Sequence, residues 1–425
     1  MIHAALIGAG KRGTNAYGSY AFRRPNEIKF VAVAEPNENR RRRFANMHNI
    51  PEDRQFKSWE EMLAQPQICE ALLICTMDRD HFAPTIKALE VGYHILLEKP
   101  MSPDPLESLL IAEKAEQTKR ILTVCHVMRY SNAMKELKRI IDTKLIGDLM
   151  TIQWLENVGY EHYVSSFVRG NWRNSTESSF MLLQKSCHDI DMLYWLVGAD
   201  CVEVSSYGKL SHFRLDKAPE GSTDRCVDGC AVETVCPYSA IKNYYHTKSG
   251  GWYNAVSQDN SLEARMKAIK EGPFGRCVYR CDNDVVDHQV VNMLFANDVT
   301  VSFNMTGFTA KNQRTFKIMG TLGEIVYNGD DKGIQVNLFS GRQERIYPEQ
   351  VAGGHGGSDF LIMQDFVRQV AKGDLVGKTS AGESARSHMI TFAAEHSRVT
   401  GQSVKLADYM EQVKLGTISN TTVKR

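Results

Sequence analysis

Gly8, Gly10 and Gly13 stand in the run Gly8-Ala9-Gly10-Lys11-Arg12-Gly13, a G-x-G-x-x-G spacing. Each glycine has a physical reason: the first makes a tight turn, the second lets the backbone approach a pyrophosphate, and the third lets a helix pack closely on a strand. The run follows an apolar strand candidate and precedes a plausible helix, whose first N–H groups would receive phosphate charge, with Lys11 and Arg12 in the same turn. Glu35 closes the next apolar run, about 20 residues on, where a carboxylate can accept from both ribose hydroxyls. It would repel a 2′-phosphate, which favours NAD over NADP. The run Arg40 to Arg43 is either a phosphate anchor or a solvated helix face.

A second group gathers at Glu98-Lys99-Pro100, where the run HILLE ends. Ligands of open α/β sheets collect at the carboxyl ends of the strands. The proline restrains Lys99 to an extended backbone, which helps fix where its ammonium points. From there Lys99 could orient a substrate hydroxyl and lower its pKa. Further candidates for substrate contact are Arg129 beside His126, Tyr160, and His355 in the loop Gly353-Gly354-His355-Gly356-Gly357 that precedes Asp359. Cys226, Cys230, Cys236 and Cys277, with Cys281 nearby, are a third group. Their thiolates could clamp a structural zinc, an iron–sulfur site is also open, and disulfides or free thiols are the alternatives.

These side chains need a scaffold, and 425 residues suffice for two domains. Strand candidates at 2–8, 28–34, 71–76, 94–98 and 121–126 alternate with helical patterns, as in a parallel sheet wrapped by helices. From about Met128 the pattern changes to a helix near 131–142, a strand near 149–157 and a helix near 179–197. β-rich segments then run from about 284 to 348. Residues 211–283 carry Pro, Gly, Cys and aromatics such as Gly251-Trp252-Tyr253, a composition suited to an irregular insertion. Two helical patterns follow residue 355, the second ending at Gly401, and the terminal SNTTVKR reads as frayed. The expected fold class is therefore α/β: an N-terminal doubly wound parallel sheet (1–127), then an α+β domain (128–425) with a large open, mostly antiparallel sheet.

Lys+Arg 51 against Asp+Glu 50 leaves a net charge of +1, which gives no pull toward nucleic acid. No apolar stretch approaches the ~18 to 20 residues that span a bilayer. The N-terminus lacks the marks of a signal peptide, so a cytoplasmic location is expected. Four of the ten cysteines (Cys69, Cys75, Cys125, Cys187) sit in apolar segments and read as small core residues.

The glycine run, Glu35 and Glu98-Lys99-Pro100, in this order, resemble the glucose-fructose oxidoreductase, inositol dehydrogenase and rhizopine catabolism (Gfo/Idh/MocA) family over nearly the whole chain. The resemblance implies a Rossmann domain, a second domain whose open sheet often forms oligomer contacts, as in a homo-dimer or tetramer, and NAD(P)-linked chemistry on a sugar, inositol or related polyol. The family's Asp-x-Gly-x-His-x-x-Asp stretch is matched by Gln184-Lys185-Ser186-Cys187-His188-Asp189-Ile190-Asp191, with Gln184 in place of the aspartate and Ser186 in place of the glycine. On a helix Gln184, His188 and Asp191 share a face, and Lys185 reaches His188. The resemblance makes His188 the general base, supported by Lys185 or Asp189, and Gln184 a substrate contact. The missing aspartate keeps open a glycosidase that retains its NAD through oxidation, elimination and reduction; a non-catalytic NAD-sensing protein is a third reading.

Overall fold

Apolar runs too short for helices become the parallel strands of the first sheet. The computed structural model describes residues 1–247, 256, 257, 259 and 261–418. The first sheet joins β1 (Ile2–Ile7), β2 (Ile28–Ala34), β3 (Gln55–Phe56), β4 (Ala71–Ile74), β5 (His94–Leu97) and β6 (Leu122–Val124) in the order β3-β2-β1-β4-β5-β6, all parallel. Strand order reverses between β1 and β4, so their carboxyl ends open the crevice where such sheets bind ligands. β1, β4 and β5 are buried almost throughout because helices cover both faces. Five strands coincide with the expected runs, whereas β3 is too short to announce itself.

The second sheet is mixed. It comprises β7 (Leu149–Asn157), β8 (Cys201–Lys209), β9 (His288–Phe295), β10 (Thr300–Thr306), β11 (Gln313–Gly320), β12 (Gly323–Asn328), β13 (Ile334–Leu338), β14 (Gln343–Ile346) and β15 (Val404–Lys405), in the order β14-β13-β12-β11-β7-β10-β9-β8-β15. β7 and β10 pair in parallel and the other pairs are antiparallel. Burial alternates along β9 and β10, with Val291, Met293, Val301 and Phe303 on the covered face and Asn292 and Asn304 on the open one. Across three strands in register, Trp154 stacks on Phe316 at 4.3 Å and Phe316 on Tyr327 at 4.7 Å.

The helix Met181–Val197 crosses the covered face, and within it all but Lys185 and Trp195 are buried. Its polar residues Gln184, Ser186, His188, Asp189 and Asp191 therefore lie inside the protein, where each needs a partner or a purpose. The chain then returns to the first sheet. Ile362, Met363, Phe366 and Val367 of the helix Ser358–Lys372 share a core with Ile2, Ala4 and Leu6. Ala381 and Ala385, from the helix Ala381–Thr400, pack with Ala5 and Ile7. Gly401 ends that helix in the left-handed conformation, φ +72°.

Between β8 and β9 the described residues of the insertion are mostly turns and short helical turns such as Ile241–Tyr245, with the α-helix Leu262–Glu271, which the composition had not suggested. Ala240, Tyr244 and Ile269 form a small buried cluster of their own there. Gly251-Trp252-Tyr253 and SNTTVKR fall outside the described residues. β15 and the helix Leu406–Lys414 were not foreseen. Among the described residues no helix is long and apolar enough to cross a membrane.

Candidate active site

The glycine loop fits a dinucleotide residue by residue. Gly8 has φ +90°, and a Cβ there would lie 2.6 Å from Cys75 O, so the turn is tight against β4. A Cβ on Gly13 would fall 2.3 Å from Gly8 O and 3.0 Å from Leu6 Cδ1, which is the close helix-to-strand approach. A Cβ on Gly10 would meet nothing within 4 Å, leaving open space on the side where a pyrophosphate would lie. Glu35, 5% exposed, accepts the Ala9 N–H at 2.8 Å and the Asn37 N–H at 3.0 Å. Those bonds hold the carboxylate beside the loop, and a carboxylate has lone pairs to spare for ribose hydroxyls. In the arginine run, Arg41 turns back to donate to Glu35 O at 2.6 Å and Arg42 pairs with Glu38 at 2.6 Å. Lys11 is exposed at the loop.

Arg12 is placed differently from the expectation of a phosphate contact. Its Nε donates to Glu98 at 2.6 Å, its two terminal nitrogens grip Asp359 at 2.9 Å each, and one also donates to Tyr17 OH at 2.6 Å. The guanidinium is spent on a clamp between the loop, the end of β5 and the first turn of the helix Ser358–Lys372. Burial alone would raise the Glu98 pKa, but the Arg12 charge and the bond from Tyr17 bring it below the ordinary carboxylate value. Asp359 is likewise held low by His355 and Arg12 against its burial. The segment Arg12–Gly18 is π-helical, which sets Tyr17 above Arg12.

Lys99, half-buried after β5, donates from Nζ to the main-chain oxygen of Gln184 at 2.5 Å. The expected side-chain role of Gln184 is thus joined by a main-chain one, anchoring the lysine. His188 lies one helical turn on, 8% exposed, and its Nδ1 is buried with no partner among the described residues. Burial first, then the charges of Lys99, His126 and His355, hold His188 well below the ordinary histidine pKa, so it is neutral and can accept a proton. His355, φ +49°, bonds Asp359 at 2.9 Å and sets its ring 6.2 Å from that of His188. Behind His188 the row continues to His126 at 5.8 Å and His388 at 5.3 Å. His388 accepts from Met101 N at 3.1 Å and donates from Nδ1 to Ser384 O at 2.7 Å, which fixes its tautomer.

Two expectations are corrected by where the chain spends its charges. Lys185 does not support His188: it pairs with the fully buried Glu156 at 2.9 Å. Asp189 is occupied too, by Arg314 at 2.6 and 3.0 Å and by Trp154 Nε1 at 2.8 Å. Arg314 also reaches Glu156 at 3.1 Å, so two cations and two carboxylates neutralise one another beneath the cleft. Arg129 is not free for substrate either. It is 2% exposed, bound through two 2.7 Å bonds to Asp191 and through a third, 2.8 Å, to Lys378 O. The need of a buried charge for a partner of opposite sign explains both placements.

Tyr160 follows β7, bonds Glu161 at 3.2 Å and meets the Tyr238 ring at 6.3 Å. Its neighbour His162 was not singled out from sequence, yet the charges of Lys185 and Lys99 reach it and, after burial, help depress its pKa. Asp359 offered one signal, an acid at a helix start after a glycine run. Tyr17 offered none, because a 3.6-residue period does not place it over Arg12.

All ten cysteines are free, so the disulfide alternative is not realised. Cys226, Cys230, Cys236 and Cys277 line one cavity with Arg169 and Tyr238. However, no three His, Cys, Asp or Glu side chains among the described residues come close enough together to hold an ion, which corrects the expectation of a single zinc.

The oxidoreductase family's NAD-binding Rossmann-fold domain matches residues 2–126, and its C-terminal alpha/beta domain matches residues 138–406. The chain is 24% identical to the YteT protein of Bacillus subtilis (strain 168) over 76% of this chain and 78% of that protein. It is 28% identical to scyllo-inositol 2-dehydrogenase (NAD(+)) of the same organism over 49% of this chain and 58% of that one. The match therefore spans little more than half of the inositol dehydrogenase. Levoglucosan dehydrogenase, solved with NADH and levoglucosan, superimposes with a TM-score of 0.70 over 95% of this chain and 99% of its own, at 20% identity. An Agrobacterium radiobacter oxidoreductase solved with NAD+, L-tartaric acid and magnesium gives 0.70 over 96% and 99%, at 14% identity. With both domains matched in order and the fold shared almost end to end, the chain belongs to the Gfo/Idh/MocA family of oxidoreductases.

Proposed function

We propose that this protein is an NAD-dependent dehydrogenase that moves a hydride between nicotinamide and the hydroxyl-bearing carbon of a sugar, an inositol or a related polyol. The observation that carries this reading is the pairing of Lys99, anchored at 2.5 Å on Gln184 O, with a neutral His188 at the carboxyl end of β5. Relatives named for inositol and levoglucosan oxidation support the substrate class. Glu35 beside the glycine loop supports NAD over NADP. The reading includes action in the cytoplasm and assembly into a homo-oligomer.

Bound nicotinamide would supply the hydride acceptor. Lys99 donates a hydrogen bond from Nζ to the substrate hydroxyl and favours its oxyanion character. His188 takes the hydroxyl proton on the ring nitrogen opposite its buried Nδ1. His355 closes over the substrate from the glycine-rich loop, and Asp359 orients it through Nδ1. Gln184 and Tyr160 are the further candidates for substrate hydroxyls.

The test follows nicotinamide absorbance with NAD and with NADP across sugars, inositols and aryl glycosides, assaying aglycone in the same wells. Net NADH formation with a free polyol or sugar is expected. Aglycone release with no net NADH would replace the proposal with a redox-cycling glycosidase, and inertness to every substrate despite NAD binding would favour a sensing protein.

A further inference from the structure

We propose that His126 is a positioning residue for the general base: its Nε2 accepts from the Nδ1–H of His188, directly or through one water, and so holds the tautomer that leaves His188 Nε2 free for the substrate proton. The inference rests on the dehydrogenase reading above. A neutral imidazole carries its one proton on either nitrogen, and the partner of one nitrogen decides what the other can do. His388 shows the ordinary solution, donating from Nδ1 to Ser384 O, four residues back on its own helix, at 2.7 Å. The matching acceptor for His188 is Gln184 O, and Lys99 Nζ takes it. Lys185 and Asp189 are engaged with Glu156 and Arg314. The proton of His188 therefore has to be fixed from another element.

His126, just after β6, stands at that buried edge. It is fully buried, its ring meets the His188 ring edge to face with 5.8 Å between centroids, and neither of its nitrogens has a hydrogen-bond partner among the described residues. With His188 Nδ1 that makes three neighbouring buried nitrogens, each costing about 1–3 kcal/mol if left unsatisfied. One bond between the rings satisfies two of them. The direction of that bond follows from Asp191, whose Oδ2 lies 3.9 Å from His126 Nδ1, beyond a hydrogen bond but close enough to favour a proton there. Nε2 of His126 is then the acceptor. Asp191 is already neutralised by Arg129 through two 2.7 Å bonds, so it orients His126 rather than taking its proton. Burial, against the pull of Asp191, keeps His126 neutral, with its pKa lowered to about 4. When the substrate hydroxyl passes its proton to His188 Nε2 and its carbon passes a hydride to nicotinamide, both nitrogens of His188 carry protons. The Nδ1–H bond to His126 then steadies the new positive charge.

The experiment uses the full chain with nitrogen-15 histidine and reads tautomers from magic-angle-spinning spectra, which separate protonated from unprotonated ring nitrogens. His188→Asn and His126→Gln assign the two rings by loss of their signals. The expected result in the unaltered protein is a proton on Nδ1 of both rings, and His126→Phe should shift His188 toward the other tautomer. With a substrate that yields NADH, His126→Phe should lower kcat about 10-fold to 100-fold at unchanged KM. His126→Gln, which keeps a hydrogen-bonding amide near the place of Nε2, should recover most of that loss. A His188 proton on Nε2 in the unaltered chain overturns the proposal, as does a His188 tautomer that His126→Phe leaves unchanged. Equal losses of kcat in His126→Phe and His126→Gln would make His126 a packing residue and overturn it too. Should His126→Phe fail to fold, the two tautomers of the unaltered chain decide alone. A protein that forms NADH from no substrate overturns the dehydrogenase reading, and the spectra still decide this one.

Discussion

The cleft floor and the cysteine insertion each bury an arginine, and they treat it in opposite ways. Arg129 meets Asp191 through two 2.7 Å bonds, and the carboxylate is held below its ordinary pKa against its burial by the Arg129 charge. Arg169, equally buried, finds main-chain oxygens, a phenol and a thiol. Desolvating a guanidinium costs about the same in either place, so the difference shows where the chain supplies a carboxylate and where it supplies neutral acceptors. On the cleft floor Arg129 has its counter-charge in Asp191. Beside the insertion Arg169 has no carboxylate partner among the described residues.

The largest effect should come from Lys99→Ala, which removes the group that polarises the substrate hydroxyl. A loss of about 10²–10⁴ in kcat/KM is expected, with the urea midpoint unchanged; a coupled loss of stability would show that the lysine acts through the fold. Next, Asp191→Asn leaves Arg129 with only the looser Glu383 at 3.7 Å among the described residues and should cost about 3–5 kcal/mol in urea unfolding. Arg169→Met should cost less, about 1–3 kcal/mol, because no carboxylate is stranded and only the carbonyl oxygens of Tyr238 and Arg276 lose their donor. Equal losses for the two variants would break the comparison.

A smaller effect is expected from pH. Burial lowers His126 from 6.5 to about 4 and His388 from 6.5 to about 3. The unfolded chain therefore binds protons first as pH falls. Stability should be full above 6.5 and decline on acidification toward those lowered values. Among its described residues the insertion has no buried histidine, so hydrogen exchange at about pH 5 should loosen the cleft floor first. An acid-independent urea midpoint, or a decline that persists in His126→Asn, would remove these histidines from the account. The smallest change, Glu35→Ser, touches neither region and should shift the ratio of kcat/KM for NAD over NADP by roughly tenfold toward NADP, about 1.4 kcal/mol.

Much of the fold was legible because its signals are local. The runs at β1, β2, β4, β5 and β6, the glycine loop and the cap at Gly401 each depend on neighbours in sequence. The site was legible less evenly. Lys99 and His188 stand out in the sequence and lie within electrostatic reach of one another, but Lys185 and Arg129 carry charges that any of several carboxylates could have claimed. Their partners, Glu156 and Asp191, lie on other elements, and periodicity says nothing about which pair will meet. The clamp from Arg12 to Asp359 was hidden for the same reason, across nearly the whole chain. In the cysteine segment the sequence shows that thiols are dense, whereas which of them line one cavity is a property of the folded backbone.

That clamp has a consequence for the order in which the protein can be made. The helix Ser358–Lys372 supplies both Asp359 for the glycine loop and Ile362, Met363, Phe366 and Val367 for one face of the first sheet. Synthesis at about 5–20 residues per second leaves tens of seconds between the emergence of β6 and that of this helix. Throughout that interval the nascent N-terminal half exposes an uncovered apolar face and an unbraced phosphate loop. The sheet that reads most plainly in the sequence is therefore completed only by a helix from near the far end of the chain.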